Sequence, residues 1–171
     1  MPALIKKIEL LANIAIILVA ILLGVALVRS FLIRPPATQP TRPGLSIAPG
    51  TKLSLTGVDW NGNGKTLILA LSTNCRFCTE SAPFYQRVVA ERTKTGSPRL
   101  IAVFPQPVAE GQTYLKELGV AVDEVKQVRL DSLGVAGTPM LIMADSQGAV
   151  VETWGGKLPG EKETELLNRI K

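Results

Sequence analysis

Hydrophobic and polar positions along this chain change period several times, and each change marks an element. Thr66-Leu67-Ile68-Leu69-Ala70-Leu71-Ser72 is a short apolar run without charge, the pattern of a strand buried on both faces. Beyond Thr73-Asn74 the spacing turns helical: Glu80, Phe84, Arg87, Val88 and Glu91 recur at three to four residues, with Ala82, Tyr85 and Val89 on the inner face. This predicts a helix from Cys75 to about Thr93, bent or loosened at Pro83, with Gly96-Ser97-Pro98 ending the unit. Arg99 to Phe104 reads as a second buried strand, and Glu110 to Leu118 as a short helix closed by Gly119. Glu124 to Leu130 alternates as an edge strand or a loop. Met140–Ala144 and Ala149–Trp154 form two strands joined by the turn Asp145-Ser146-Gln147-Gly148, and Glu161–Ile170 is an amphipathic helix. Upstream, Lys52–Val58 reads as a short strand, followed by a turn over Asp59-Trp60-Asn61-Gly62-Asn63-Gly64. Strands and helices in this order predict an α/β architecture with a mixed sheet.

The amino-terminal part follows different rules. Leu10 to Val28 is a run of 19 residues in which Asn13 is the one polar side chain. As a helix it would reach about 29 Å, close to the thickness of a bilayer core. The run is longer than the apolar region of a cleaved signal peptide, and Ala26-Leu27-Val28-Arg29 is a poor cleavage site, so an uncleaved anchor is expected. Lys6 and Lys7 on one side and Arg29, Arg34 and Arg42 on the other leave its orientation undecided by charge. Pro35, Pro36, Pro40, Pro43 and Pro49 then stiffen an extended tether. The predicted organisation is an anchor over 1–33, a tether over 34–50 and a folded domain over 51–171.

Charge supports this division. The chain carries +5, but five basic residues and one acidic residue precede Gly44, leaving the remainder at a net +1. No basic groove for nucleic acid is indicated. The chain has no histidine, which excludes Ser-His and Cys-His nucleophiles, His-ligated metals and haem attachment. Its two cysteines cannot complete a four-ligand zinc site within one chain, and no cofactor is expected.

Those cysteines, Cys75 and Cys78, are separated by Arg76-Phe77 and fall where a strand hands over to a helix. Unpaired amides and the helix dipole stabilise a thiolate there, so Cys75 is expected to ionise readily, with Arg76 pushing the same way by its charge. The reading is a redox dithiol; a purely structural cysteine pair is the plain alternative.

Cys75-x-x-Cys78 after a buried strand, Gly137-Thr138-Pro139 some sixty residues later, a hairpin and Trp154-Gly155-Gly156 together resemble the thioredoxin fold. With the anchor and tether, the chain resembles the membrane-anchored TlpA-like thiol–disulfide oxidoreductases of bacteria. The resemblance covers roughly Leu53 to Lys171. It implies a mixed central sheet flanked by helices, preceded by one transmembrane helix. It also implies a cis peptide before Pro139, a substrate chain pairing with the backbone of Thr138, Cys75 as attacking thiol and Cys78 as resolving thiol. The implied partners are proteins with disulfides or dithiols and a membrane electron donor or acceptor, on the periplasmic side of the inner membrane. The chain departs from the family at Asn74, where relatives carry an aromatic, and at Leu69, where many bury a carboxylate. It also has Ser81 where some carry a glutamate, with Glu80 one position away and expected to face solvent. Two other readings share the fold. A peroxiredoxin-type peroxidase would use Ser72 as its motif hydroxyl, although Ile68 replaces the motif proline. A docking module or copper carrier would keep the fold without exchange chemistry, although related copper carriers add a histidine. Trp60, Trp154 and Phe104 are expected in the core or at its rim.

Overall fold

The computed structural model describes Ile16, Ile17, Val19 and residues 46–171. Apart from Ile16, Ile17 and Val19, the predicted anchor at Leu10–Val28 lies outside the described residues, as does most of the tether. Among the described residues no helix is long and apolar enough to cross a membrane.

The element order is α1 (Trp60–Asn63), β1 (Thr66–Ala70), α2 (Arg76–Glu80), α3 (Ala82–Thr95), β2 (Arg99–Phe104), α4 (Val108–Glu117) and β3 (Glu124–Gln127). A 3-10 turn at Leu130–Leu133, β4 (Met140–Ala144), β5 (Val150–Gly155) and α5 (Gly160–Arg169) complete it. The five strands form one sheet in the order β3-β2-β1-β4-β5. β1 runs parallel to β2 and antiparallel to β4, which makes the sheet mixed. The run read as a buried strand lies at its centre, and all five residues of β1 are buried. β3, only partly buried, is an edge.

Alternation along β1 divides the core in two. Leu67, Leu69 and Leu71 pack with Cys78, Tyr85, Val88, Leu115, Trp154 and Leu166, so α2, α3, α4 and α5 share one face. Ile68 and Ala70 pack with Leu53, Leu55, Leu133, Val135 and Ile142 on the other. Each buried leucine or isoleucine contributes about 1.5–3 kcal/mol by leaving water.

Three local expectations change. Lys52–Val58 is not a strand. Lys52 makes one isolated bridge to Ala149, and Leu53 N–H bonds Gly148 O at 2.9 Å, so the segment clips onto the end of the hairpin instead of extending the sheet. Its alternating Leu53 and Leu55 bury themselves without a ladder. The Asp59–Gly64 stretch contains the short helix α1, because the Asp59 carboxylate accepts from Gly62 N–H at 3.0 Å and caps its start. Finally, the helix predicted from Cys75 onward breaks at Ser81. Pro83, with no N–H to offer the preceding turn, sits in the first turn of a new helix, α3.

Gly148, in the β4–β5 turn, has φ +71°, and a Cβ there would stand 2.7 Å from the Trp60 ring. Both the turn and the packing of α1 on the hairpin need glycine.

Candidate active site

Antiparallel pairing of β1 with β4 sets Ala70 opposite Met140. The chain leaving β1 toward Cys75 and the chain entering β4 through Thr138 and Pro139 therefore meet at the same end of the sheet. Cys75 Sγ lies 3.3 Å from the carbonyl oxygen of Thr138, and the Thr138–Pro139 peptide is cis. Cys75 is partly buried, Cys78 has no exposed surface, and neither is in a disulfide.

Cys75 caps α2. Its backbone is extended (φ −99°, ψ 106°), and its sulfur accepts the N–H of Cys78 at 3.2 Å. Its carbonyl takes the N–H groups of Cys78 and Thr79 at 3.0 and 3.2 Å. Partial burial raises the Cys75 thiol, but hydrogen bonds from the Cys78 thiol and the Thr138 side chain and from the amides of Cys78 and Phe77 outweigh it, leaving the thiol below its ordinary value. With α2 only five residues long, this lowering comes from a few adjacent donors and not from a long helix dipole. Cys78 goes the other way. Burial, then the hydrogen bond and charge of Cys75, push its thiol up to about 12, while the backbone N–H of Ser72 and the side-chain hydroxyl of Thr138 work to lower it. One sulfur is poised to ionise and the other to stay protonated.

Arg76 does not reach toward the thiol. Its side chain is 86% exposed and its Nε donates to Glu80 Oε1 at 2.6 Å. Glu80 also takes Lys157 Nζ at 2.9 Å, and Lys157 first, then Arg76, hold its carboxyl below the usual range. Glu80 is therefore paired within the site rim instead of facing water alone. Leu69 is fully buried beneath the dithiol, so no carboxylate occupies that strand position. Thr138 is partly exposed and Pro139 is buried. Trp154 packs in the same core cluster as Cys78. Phe77, 55% exposed beside the sulfur pair, is an apolar contact surface at the mouth of the site.

Several neighbours escaped sequence reasoning. Gln106 Nε2 donates to Ser72 Oγ at 3.0 Å, and Gln106 Oε1 accepts Thr73 N–H at 3.4 Å. Thr73 Oγ1 donates to Glu110 Oε1 at 2.6 Å, and the hydroxyls of Thr79 and Tyr114 are 3.0 Å apart. Tyr114 stacks its edge on Phe104 at 5.9 Å. Tyr85 is fully buried in the cluster with Cys78, and its hydroxyl makes no hydrogen bond of normal geometry among the described residues, the Ser81 hydroxyl being a polar group near it. No spacing in the sequence links Gln106 or Glu110 to the cysteines; the β2–α4 loop and the first turn of α4 bring them there. Cys75 and Cys78 are the soft metal ligands at hand. Among the described residues no group of three or more His, Cys, Asp or Glu side chains could hold a metal ion.

No family model matches the chain, and no curated protein matches it. Solved structures do. The thioredoxin domain of a thiol-disulfide oxidoreductase from Bacteroides vulgatus aligns with TM-score 0.53 and 16% identity, over 72% of this chain and 98% of that one. A thiol-disulfide isomerase from Corynebacterium glutamicum aligns with TM-score 0.53 and 15% identity, over 76% of this chain and 96% of that one. At such identities the likeness is one of fold. The described domain, with its five-stranded mixed sheet and the dithiol at the end of the central strand, has a thioredoxin-like fold.

Proposed function

We propose that this chain is a thiol–disulfide oxidoreductase acting on disulfides or dithiols of other proteins. The observation that carries the reading is the partly buried Cys75 sulfur, lowered in pKa and 3.3 Å from the Thr138 carbonyl, with a buried partner thiol three residues on. Cys75 thiolate attacks a partner disulfide. A Cys75–partner S–S bond forms, the partner's S–S bond breaks, and its released sulfur carries away the electron pair. Cys78 then attacks the Cys75 sulfur, forms the Cys75–Cys78 disulfide and expels the second partner thiol. The reverse sequence oxidises a dithiol. The Thr138 backbone beside the thiol offers an extended substrate segment a place to pair, which gives affinity with little demand on sequence.

The neighbours' descriptions as oxidoreductase and isomerase favour the same chemistry. The apolar run Leu10–Val28 with its basic flanks favours a single-pass anchor in a bacterial inner membrane, the domain facing the periplasm and drawing on a membrane electron donor or acceptor.

Insulin reduction by the full chain with dithiothreitol tests the assignment. Wild type should accelerate it and Cys75→Ser should abolish the acceleration; an inactive wild type would favour the docking role. Equilibration with glutathione gives the direction: a potential near roughly −270 mV marks a reductant and one near about −120 mV an oxidant.

A further inference from the structure

The fold leaves the resolving thiol poorly provided for. Cys78 is fully buried, and the strand position beneath the dithiol is Leu69, which can take no proton and donate no hydrogen bond. Leu71 N–H bonds Val103 O at 2.9 Å, and Ser72, the next residue, lies past the end of β1 with its backbone N–H on the side of the Cys78 sulfur, where it favours the thiolate. Ser72 serves the other cysteine as well, its carbonyl accepting Cys75 N–H at 3.1 Å. A residue just released from a strand is held only by what its own loop bonds to. Here the holding group is a single amide: Gln106 donates to Ser72 Oγ and accepts from Thr73 N–H, while Ser72 Oγ also accepts Asn74 N–H at 3.4 Å. Glu110 secures Thr73 from the same side.

We propose that Gln106 is a positioning residue for the resolving step, clamping Ser72 and Thr73 so that the Ser72 N–H stays aimed at the Cys78 sulfur. The inference rests on the exchange activity proposed above. When Cys78 attacks the mixed disulfide, its proton leaves for the departing partner sulfur, the Cys75–Cys78 bond forms and the Cys75–partner bond breaks. Negative charge on Cys78 has one aimed backbone donor from the loop, and the loop's geometry depends on Gln106.

Reaction of the reduced full chain with excess 5,5′-dithiobis(2-nitrobenzoate) separates the steps. The first thionitrobenzoate released reports attack by Cys75 and the second reports resolution by Cys78. Gln106→Leu should slow the second release about three- to tenfold, the worth of one hydrogen bond. It should also move the pH inflection of that release upward, with the first release changed less than about twofold. Ser72→Ala, which keeps the backbone donor but removes the clamp's anchor, should do the same, and the double variant should be no slower than either single one. The proposal is overturned if the second release keeps its wild-type rate and pH profile in both variants, if both releases slow alike, or if the two effects add. A wild type that never gives a second release instead removes the exchange reading itself.

Discussion

The sulfur of Cys75 and the carbonyl oxygen of Thr138, 63 residues apart in sequence, stand 3.3 Å from each other. The contact follows from the antiparallel register of β1 and β4, which sets Ala70 against Met140 and brings both loops to one sheet end. In the exchange reaction proposed above, it would set the attacking sulfur beside the backbone that a substrate chain pairs with, so that covalent attack and docking share a single surface.

The two thiols should titrate far apart. Alkylation with iodoacetamide, followed by mass spectrometry across pH, should modify Cys75 first, with an inflection below the ordinary thiol value of about 8.5. Cys78 should stay protected until far more alkaline conditions, its thiol being pushed up to about 12 by burial. Linkage sets the signs. The neutral Cys78 contributes its stability fully below the ordinary thiol value and loses it as pH rises from there toward about 12. The depressed Cys75 contributes above the ordinary value and loses it as pH falls through its lowered one. Cys78→Ala should therefore flatten the alkaline decline in stability of the reduced protein; an unchanged decline would place its cause elsewhere.

Arg76 is compensated by Glu80, and this decides what each charge does to the thiol. Arg76→Gln should leave the ionisation of Cys75, followed by thiolate absorbance in the ultraviolet, close to wild type. Glu80→Gln leaves both Arg76 and Lys157 uncompensated and should lower the Cys75 pKa further. If Arg76→Gln had the larger effect, the guanidinium would be acting on the sulfur directly.

Tyr85 gives a test of core polarity. Its ring is fully buried, but its hydroxyl is unsatisfied, a state that costs about 1–3 kcal/mol. Tyr85→Phe should keep or raise stability by about 1 kcal/mol in urea unfolding. Tyr85→Ala should lose about 3–5 kcal/mol by emptying the ring's place. A clear loss in the phenylalanine variant would show that the hydroxyl has a partner.

Gly111 sits in α4 where a Cβ would come within 2.8 Å of the buried Phe104 ring. Alanine gains about 1 kcal/mol of helix propensity. Overpacking a close-packed ring costs about 1–3 kcal/mol, so Gly111→Ala should lose about 1 kcal/mol on balance, read from the denaturation midpoint. A more stable variant would mean that the ring has room to retreat.

Much of this molecule could be read before any coordinates. Thr66–Ala70, Arg99–Phe104 and Met140–Ala144 announce themselves as strands because each is buried on both faces and so nearly free of polar residues. The handover from β1 to a helix at Cys75 is equally local, since hydrophobic period and turn chemistry act over a few residues. Where neighbours in sequence mislead, a distant partner intervenes. Lys52–Val58 alternates like a strand but meets only the hairpin's end. Arg76 looks like a free charge until Glu80 and Lys157 are placed around it. The approach of Thr138 to Cys75, the grip of Gln106 on Ser72 and the unpartnered hydroxyl of Tyr85 exist only through strand pairing and helix packing. Local patterns settle which residues are buried and which turn, because those follow from each segment's own exchange with water and its own backbone. Which polar atoms come within hydrogen-bonding reach of a sulfur depends on register between strands far apart in the chain, and no short stretch of sequence carries that.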